Sequence, residues 1–222
     1  MSRSKSSNRW LKQHFNDPYV KRAQQEGLRS RSAYKLLEIQ EKNKIIKTGM
    51  IVVDLGAAPG GWSQLAAKFV GERGKVYALD ILPMLPLINV DFIQGDFREE
   101  AVLHQLLKHL QSQAIDLVIS DMAPNLSGMR TIDQPRVMYL AELAIDFAQQ
   151  VLKPKGGFLI KTFQGEGFET YLKLLRQLFA TVSICKPSAS RSGSAEVYLI
   201  ALGYHCKHNR LNLSNFSQNI PF

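Results

Sequence analysis

Carboxylates follow the ends of four apolar segments of the chain, and a lysine lies near the end of a fifth. The carboxylates are Asp54, Asp80, Asp96 and Asp121, and the lysine is Lys161. If these segments are parallel strands, their carboxyl ends meet at one edge of a sheet. There Asp80 can accept both hydroxyls of a ribose, and Asp96 can accept an adenine amino group. Each aspartate alone is also a common turn residue, but four at successive strand ends favour a nucleoside site.

A glycine-rich turn follows the first of these segments. Residues 54–62 read Asp-Leu-Gly-Ala-Ala-Pro-Gly-Gly-Trp, between an apolar run and a helix-favouring segment. Glycines at such a turn let backbone amides approach a ligand where a Cβ would collide. The spacing differs from the Gly-x-Gly-x-x-Gly of dinucleotide enzymes, and no Gly-Lys-Ser/Thr follows, which disfavours NAD and ATP phosphates. The turn suits S-adenosylmethionine, which has an adenosine and an amino-acid end but no phosphate. The alternative is a tight strand–helix turn without a ligand.

Strands alternate with helices along most of the chain. We predict strands at 50–54, 75–80, 90–93, 115–121, 157–162 and 195–202, and helices at 32–44, 62–70, 98–111, 135–152 and 167–179. A loop is predicted between the fourth strand and the fourth helix, over residues 122–132. This alternation predicts a single α/β domain with a doubly wound, mostly parallel sheet and its ligands at the carboxyl ends of the strands.

Positive charge is concentrated at the two ends of the chain. The formal net charge is +9 over 222 residues, and residues 1–35 hold nine lysines and arginines against two acidic residues. Aromatic residues lie between these charges, which fits an RNA or DNA backbone as the partner. The alternative is a solvated tail that only aids solubility.

Cysteine content and hydropathy predict a reduced, cytoplasmic protein. Cys185 and Cys206 are too few for a disulfide framework, and no apolar stretch of 18 residues predicts a transmembrane helix. Cys206 lies between His205 and His208, but this crowded spacing does not match a zinc site. We therefore expect no metal and no membrane partner.

The chain contains three motifs that belong together: Asp-Leu-Gly-Ala-Ala-Pro-Gly-Gly-Trp-Ser-Gln at 54–64, Ser-Asp-Met-Ala-Pro-Asn at 120–125 and Leu-Ile-Lys-Thr-Phe at 159–163. With segments 29–37 and 191–198, this set resembles the FtsJ/RrmJ family of RNA ribose 2′-O-methyltransferases. The resemblance runs from about Asn8 to Leu202 without a departure at any motif position. It implies a Rossmann-like, class I S-adenosylmethionine-dependent methyltransferase fold. We divide the chain into a basic N-terminal arm (1–30), a methyltransferase domain (31–206) and a polar tail (207–222).

The resemblance also implies the site residues. The implied catalytic set is Lys35, Asp121, Lys161 and Glu196, and the implied cofactor contacts are Gly60, Trp62, Asp80, Asp96 and Asp121. A ribose 2′-hydroxyl must lose its proton as it attacks a methyl group, and Lys161 is the predicted general base. Neutralising a free lysine of pKa about 10.4 near pH 7.4 costs about 4 kcal/mol. Burial and neighbouring positive charges reduce that cost, whereas carboxylates oppose it, so Asp121 and Glu196 are predicted to orient the lysine and the ribose.

Lys35 and Lys161 differ in how well a purely structural role explains them. Lys35 shares a predicted helix stripe with Arg31, Glu38 and Lys42, which could be a solvated face. Lys161 lies in an apolar strand, where an uncompensated charge is costly. The sequence therefore favours a functional lysine more strongly at position 161 than at position 35.

Two other residues have structural alternatives. Glu196 could pair with Arg191 in a surface salt bridge. Trp62 could pack on the sheet, in which case its cofactor contact is made through the backbone. The joint occurrence of the whole set favours the catalytic interpretation.

The resemblance is closest to bacterial members of the family that methylate a uridine of 23S ribosomal RNA in the assembled large subunit, and it implies that substrate. A monomer is expected. One alternative is 2′-O-methylation of another RNA, such as transfer RNA or a messenger RNA cap. Another is a non-catalytic ribosome-assembly protein or RNA chaperone that has kept the fold.

Overall fold

The computed structural model describes residues 17–191 and 193–205. In chain order the elements are α1 (Pro18–Gln25), α2 (Ala33–Asn43), β1 (Ile51–Leu55), α3 (Gly61–Val70), β2 (Lys75–Asp80), β3 (Val90–Gln94), α4 (Glu100–His109), β4 (Ile115–Ser120), α5 (Arg130–Val151), β5 (Leu152–Phe163), α6 (Phe168–Leu178), β6 (Phe179–Cys185) and β7 (Glu196–Tyr204). The predicted alternation of strands and helices is present from β1 to α6, except that β3 follows β2 without a helix between them. Strand β6, which is followed directly by β7, is not among the predicted strands.

The strands form one seven-stranded sheet in the order β3-β2-β1-β4-β5-β7-β6. Strands β1 to β5 pair in parallel, and β7 runs antiparallel to both β5 and β6. The predicted α/β fold with a mostly parallel, doubly wound sheet is confirmed. Because the chain leaves β1 towards β2 and later returns to its other side with β4, the strand order reverses there. A crevice at the carboxyl ends of β1 and β4 is the expected ligand site of such a sheet.

Helices cover both faces of the sheet. Along β1, Val53 and Leu55 belong to the core shared with α4, α5 and α6, whereas Val52 belongs to the core shared with α2 and α3. A strand buried on both faces is mostly apolar, which is why β1 begins with the apolar run Ile51–Val53, and Asp54 is its one charged residue. Because one core packs on each face of the sheet, its carboxyl edge is held between the two layers of helices.

Helix α5 begins at Arg130, five residues before the predicted start at residue 135, so the predicted loop over 122–132 is too long. Pro135 lies inside the helix. Asp133 fixes this early start, because its carboxylate accepts hydrogen bonds from the amides of Ser127 and Gly128 at 2.7 and 2.9 Å. The loop after β4 is therefore closed by a side chain of the helix that follows, a contact that local propensity does not show.

The predicted arm is described from residue 17 onwards. Within it, α1 is capped by Asp17, whose carboxylate accepts from the Tyr19 amide at 3.0 Å. Val20 and Ala23 of this helix are buried. The arm boundary at residue 30 remains a prediction. Residues 1–16 and the tail at 207–222 lie outside the described residues, as does the Cys206 and His208 pattern.

Two findings concern membranes and metals. No helix in the described ranges is long and apolar enough to cross a membrane. Across residues 17–191 and 193–205, no group of three or more His, Cys, Asp or Glu side chains is arranged to hold a metal ion.

Candidate active site

The glycine turn joins β1 to α3 and requires its glycines. Gly56 has φ 78° and Gly60 has φ 106°, a region that side chains disfavour. A Cβ at Gly56 would lie 2.5 Å from Cγ of Met122, and one at Gly60 would lie 2.9 Å from Sδ of Met84. Helix α3 starts directly after the turn, and the first amides of a helix have no carbonyl of their own helix as a partner. The amides of Gly56, Ala57, Ala58 and Gly60 donate within the protein. The first turn of α3 can therefore present backbone N–H groups to a ligand.

Asp80 and Asp96 lie at neighbouring strand ends beside this turn. The two oxygens of Asp80 accept from the backbone amides of Leu82 and Ala58, each at 2.8 Å. Each oxygen retains further acceptor capacity, as a ribose diol would need. Both oxygens of Asp96 accept from the Arg98 guanidinium, and this hydrogen bonding holds the pKa of Asp96 below its ordinary value. Both carboxylates are thus acceptors at the edge where an adenosine is expected.

Asp54 does not lie on this open edge. Its side chain is fully buried and accepts a hydrogen bond from the Ser63 hydroxyl at 2.6 Å. Burial, opposed by the Ser63 hydrogen bond and aided by the charges of Asp121 and Asp80, raises the pKa of Asp54 to about 7. Asp54 therefore anchors the start of α3 from below the turn.

We predict that Asp54 makes stability depend on pH. Because burial raises its pKa from 3.8 to about 7, the folded protein binds more protons than the unfolded chain between about pH 4 and 7. The cost of ionising Asp54 is absent below this window, grows through it and is complete above it. Chemical denaturation should show that Asp54→Asn gains stability relative to the parent protein as pH rises from 4 to 8. A pH-independent difference would mean that Asp54 is ionised throughout.

The Trp62 side chain packs inside the protein. Its indole N–H donates to the Ser32 carbonyl at 2.9 Å, and its ring lies 5.7 Å from the ring of Tyr198. The structure thus favours the packing interpretation for the side chain. A cofactor contact at Trp62 remains a prediction, and it would be made by the backbone amide.

Lys161 and Asp121 form an ion pair at the carboxyl edge of the sheet. Lys161 Nζ lies 3.0 Å from Asp121 Oδ1 and also donates to the Asp121 carbonyl. The Tyr198 hydroxyl donates to the same Oδ1 at 2.8 Å. Burial alone would raise the pKa of Asp121, but Lys161, Lys35 and the Tyr198 hydrogen bond outweigh it and hold the pKa below its ordinary value. Asp121 is therefore a fixed negative charge that two groups orient.

Lys35 and Glu196 form a second ion pair on the other side of Tyr198. Lys35 Nζ lies 2.5 Å from Glu196 Oε1 and 5.6 Å from the centre of the Tyr198 ring. The side chains of Lys35 and Glu196 are 10% and 13% exposed, so the pair is largely desolvated. The structure thus brings all four predicted catalytic residues together, from α2, the end of β4, β5 and β7.

Tyr198 is the site residue that sequence reasoning missed. It pairs in register with Lys161 across β5 and β7. Burial raises its pKa well above the ordinary value, and the charges of Asp121 and Glu196 add to this, so the phenol stays a hydrogen-bond donor. The sequence does indicate that Tyr198 belongs to the site, because Tyr198 and Glu196 are two residues apart on a predicted strand and share one face.

We predict that Tyr198→Phe lowers kcat about tenfold, because it removes one neutral donor to Asp121 while keeping the ring that packs on Trp62. Unfolding free energy should fall by about 1 kcal/mol. Steady-state kinetics and chemical denaturation measure the two effects. An unchanged kcat with reduced stability would restrict Tyr198 to a packing role.

The helix stripe that contains Lys35 is not a solvated face. Arg31 pairs with Asp17 at 2.8 Å, and Glu38 accepts from both the amide and the hydroxyl of Ser188 at 2.7 Å. Only at its far end does the stripe reach solvent, where the Lys42 side chain is 62% exposed. The alternative of an Arg191 partner for Glu196 is also not observed, since Glu196 pairs with Lys35.

The sequence and the fold of this chain are similar to those of known proteins. The sequence profile of the FtsJ-like methyltransferases matches residues 28–204, most of the chain. The chain belongs to the FtsJ-like methyltransferase family. It is similar, at 29% identity and a TM-score of 0.70, to a Plasmodium falciparum protein provisionally named a ribosomal RNA methyltransferase, covering 79% of this chain and 98% of that one. A provisionally named rRNA methylase from Clostridium thermocellum shares 18% identity at a TM-score of 0.49, covering 76% of this chain and 97% of that one.

FtsJ-like methyltransferases generally use S-adenosylmethionine, and the residues present fit that molecule. Asp80 and Asp96 offer acceptors for a ribose diol and an adenine amino group. The family membership shows a methyltransferase, and the position of its site at the carboxyl edge of the sheet remains a prediction that these acceptors fit.

Proposed function

We propose that this FtsJ-like methyltransferase methylates the ribose 2′-hydroxyl of a uridine in 23S ribosomal RNA. The methyl donor is S-adenosylmethionine, and the substrate is the assembled large ribosomal subunit in the cytoplasm. The motifs quoted above resemble most closely those of the bacterial ribosomal RNA large subunit methyltransferase E, which supports this assignment. The name of the Plasmodium falciparum structure also supports a ribosomal RNA substrate.

The observation that carries the proposal is the pair of lysines around Tyr198. Lys35 lies over the Tyr198 ring and pairs with Glu196, whereas Lys161 pairs with Asp121, which accepts from the Tyr198 hydroxyl. Two ordered ammonium groups at the edge of a cofactor site suit a polyanionic substrate. They also place a proton acceptor and a fixed positive charge near one reacting hydroxyl.

The proposed reaction transfers one methyl group and releases one proton. When bound, S-adenosylmethionine supplies an electrophilic methyl group on a positively charged sulfur. The ribose O2′–carbon bond forms as the carbon–sulfur bond breaks, and the bonding pair stays on sulfur, which becomes neutral. Lys161 accepts the 2′-hydroxyl proton at Nζ.

Lys161 must be neutral before it can accept that proton. In the resting structure its Nζ lies 3.0 Å from Asp121 Oδ1. Asp121 does not depend on Lys161 alone, because Lys35 also acts on its charge and Tyr198 donates to it. The site can therefore keep Asp121 ionised while Lys161 gives up its proton. Lys161 and the ribose stay oriented meanwhile, and this supplies much of the rate.

Transfer of radiolabelled methyl from S-adenosylmethionine tests the proposal. Intact large subunits, stripped ribosomal RNA and transfer RNA should be offered in parallel, and the labelled nucleoside should be mapped. Label on a ribose of the large subunit is expected. Label confined to transfer RNA would contradict the proposed substrate, and cofactor binding without label on any RNA would contradict the proposed activity.

A further inference from the structure

Arg29 connects two segments on the cofactor side of the site. Its guanidinium donates to the Pro59 carbonyl in the glycine turn at 3.4 Å. It also donates to the carbonyls of Leu85 and Pro86, at 2.6 and 2.8 Å, in the loop that follows β2. Among the described residues Arg29 takes part in no ion pair, so its charge is directed at backbone carbonyls.

The loop over residues 81–86, which we call the β2 loop, is packed directly against the turn. A Cβ at Gly60 would lie 2.9 Å from Met84 Sδ and 3.0 Å from both Cδ and Nη1 of Arg29. Arg29 and the β2 loop thus cover the α-carbon of the glycine that begins α3. Any movement of the loop changes the space above Gly60.

Apolar packing does little to hold the β2 loop in place. Ile81, Leu82 and Leu85 are 57%, 60% and 78% exposed. The polar ties are therefore decisive. Asp80 accepts from Leu82 in the loop and from Ala58 in the turn. Gln94 donates to the Ile81 carbonyl at 3.2 Å, at the start of the loop. Arg29 holds the far end of the loop.

Arg29 is itself fixed to the helix that starts at the turn. Its amide donates to Gln64 Oε1 at 3.1 Å, and Gln64 Nε2 donates to the Gly27 carbonyl at 2.9 Å. Gln64 lies in the first turn of α3. The segment after α1 is therefore hydrogen-bonded to α3 through Gln64, and the Arg29 side chain connects this segment to the β2 loop.

We propose that Arg29 is a positioning residue that holds the β2 loop on the glycine turn and thereby shapes the adenosine-binding site beside Asp80. The identity of the occupant, S-adenosylmethionine, rests on the proposed function. Arg29 acts through the loop and the turn and touches no reacting atom. A lysine could keep the charge, but it lacks the planar fork that reaches two carbonyls together.

The test compares Arg29→Ala and Arg29→Lys with the parent protein and with Arg73→Ala, which removes one exposed arginine after α3. Hydrogen exchange is measured without any ligand at the amides of Leu82, Met84, Leu85 and Leu87, with β4 amides as the reference for an intact fold. Both Arg29 variants should exchange about tenfold faster in the loop, with unchanged β4 protection. S-adenosylmethionine affinity by calorimetry should fall about tenfold, with kcat at saturating cofactor nearly unchanged. Arg73→Ala should behave as the parent in both measurements.

Unchanged loop exchange in Arg29→Ala would overturn the proposal, as would parental cofactor affinity in a variant whose loop exchanges faster. Full rescue by Arg29→Lys would also overturn it, because charge alone would then suffice. If the parent protein bound no S-adenosylmethionine, both the proposed function and the proposed adenosine-binding site would be contradicted. Loop exchange would still decide whether Arg29 holds the loop.

Discussion

Lys161→Ala is expected to lower kcat for methyl transfer about 1,000-fold, the size of effect that a positioned general base contributes. RNA affinity and S-adenosylmethionine affinity should change far less, because the cofactor residues predicted beside the turn are untouched. The Lys161 side chain is 10% exposed and paired with Asp121, so its removal also leaves that carboxylate with Lys35 and Tyr198 as its remaining partners. Single-turnover transfer with saturating cofactor isolates the chemical step from binding.

Lys161→Arg separates the base from the charge. Arginine keeps a positive group beside Asp121, but it stays protonated at any working pH and cannot accept a proton. We expect this variant to be nearly as inactive as Lys161→Ala while retaining more stability. Lys173→Ala, which removes an exposed lysine from α6, is the matched control and should keep full activity. Activity near the parental value in Lys161→Arg would show that position 161 supplies charge and not base catalysis.

The sheet and the cofactor side of the site were predictable because their signals are local. An apolar run that ends in an aspartate identifies a buried parallel strand and its carboxyl end, and Asp80 and Asp96 lie where this rule places them. The glycine turn is equally local, since the positive φ of Gly56 and Gly60 is a property of a few adjacent residues. The family motifs located the four charged residues that surround Tyr198.

What the sequence did not predict depends on contacts between distant residues. The contact between Tyr198 and Asp121 spans 77 positions, and it exists only because β7 lies beside β5. The start of α5 is set by Asp133 reaching back to Ser127 and Gly128, against the propensity of Pro135. Helix α1 lies in a segment that the sequence predicted only as a basic arm, and it is held by the packing of Val20 and Ala23, which periodicity over eight residues cannot reveal.

The Lys35 and Glu196 pair gives the second large effect, and here stability and activity should separate. Lys35→Met leaves Glu196 as a buried, unpaired carboxylate, and Glu196→Gln leaves the lysine unpaired. Either single change should lower the unfolding free energy by about 3 kcal/mol. The double variant leaves neither charge uncompensated, so most of that stability should return, to within about 1 kcal/mol of the parent.

Activity should not return with stability. Lys35 acts on Asp121 electrostatically and places an ammonium beside the proposed ribose site, and neither function survives in the double variant. We expect transfer rates about 100-fold below the parent in Lys35→Met and in the double variant, the two variants that lack the ammonium. Chemical denaturation and single-turnover transfer on the same preparations measure both quantities.

The exposed pair on the same helix provides the control. Lys42 and Glu38 lie 2.8 Å apart, with the lysine side chain 62% exposed, so Lys42→Ala should change stability by less than about 0.5 kcal/mol and leave transfer intact. A double variant that recovered activity together with stability would mean that Lys35 and Glu196 only support the fold. Destabilisation of the double variant by the sum of the single effects would mean that the two charges do not stabilise each other. The expected result, stability restored without activity, is what distinguishes a functional ion pair from a structural one.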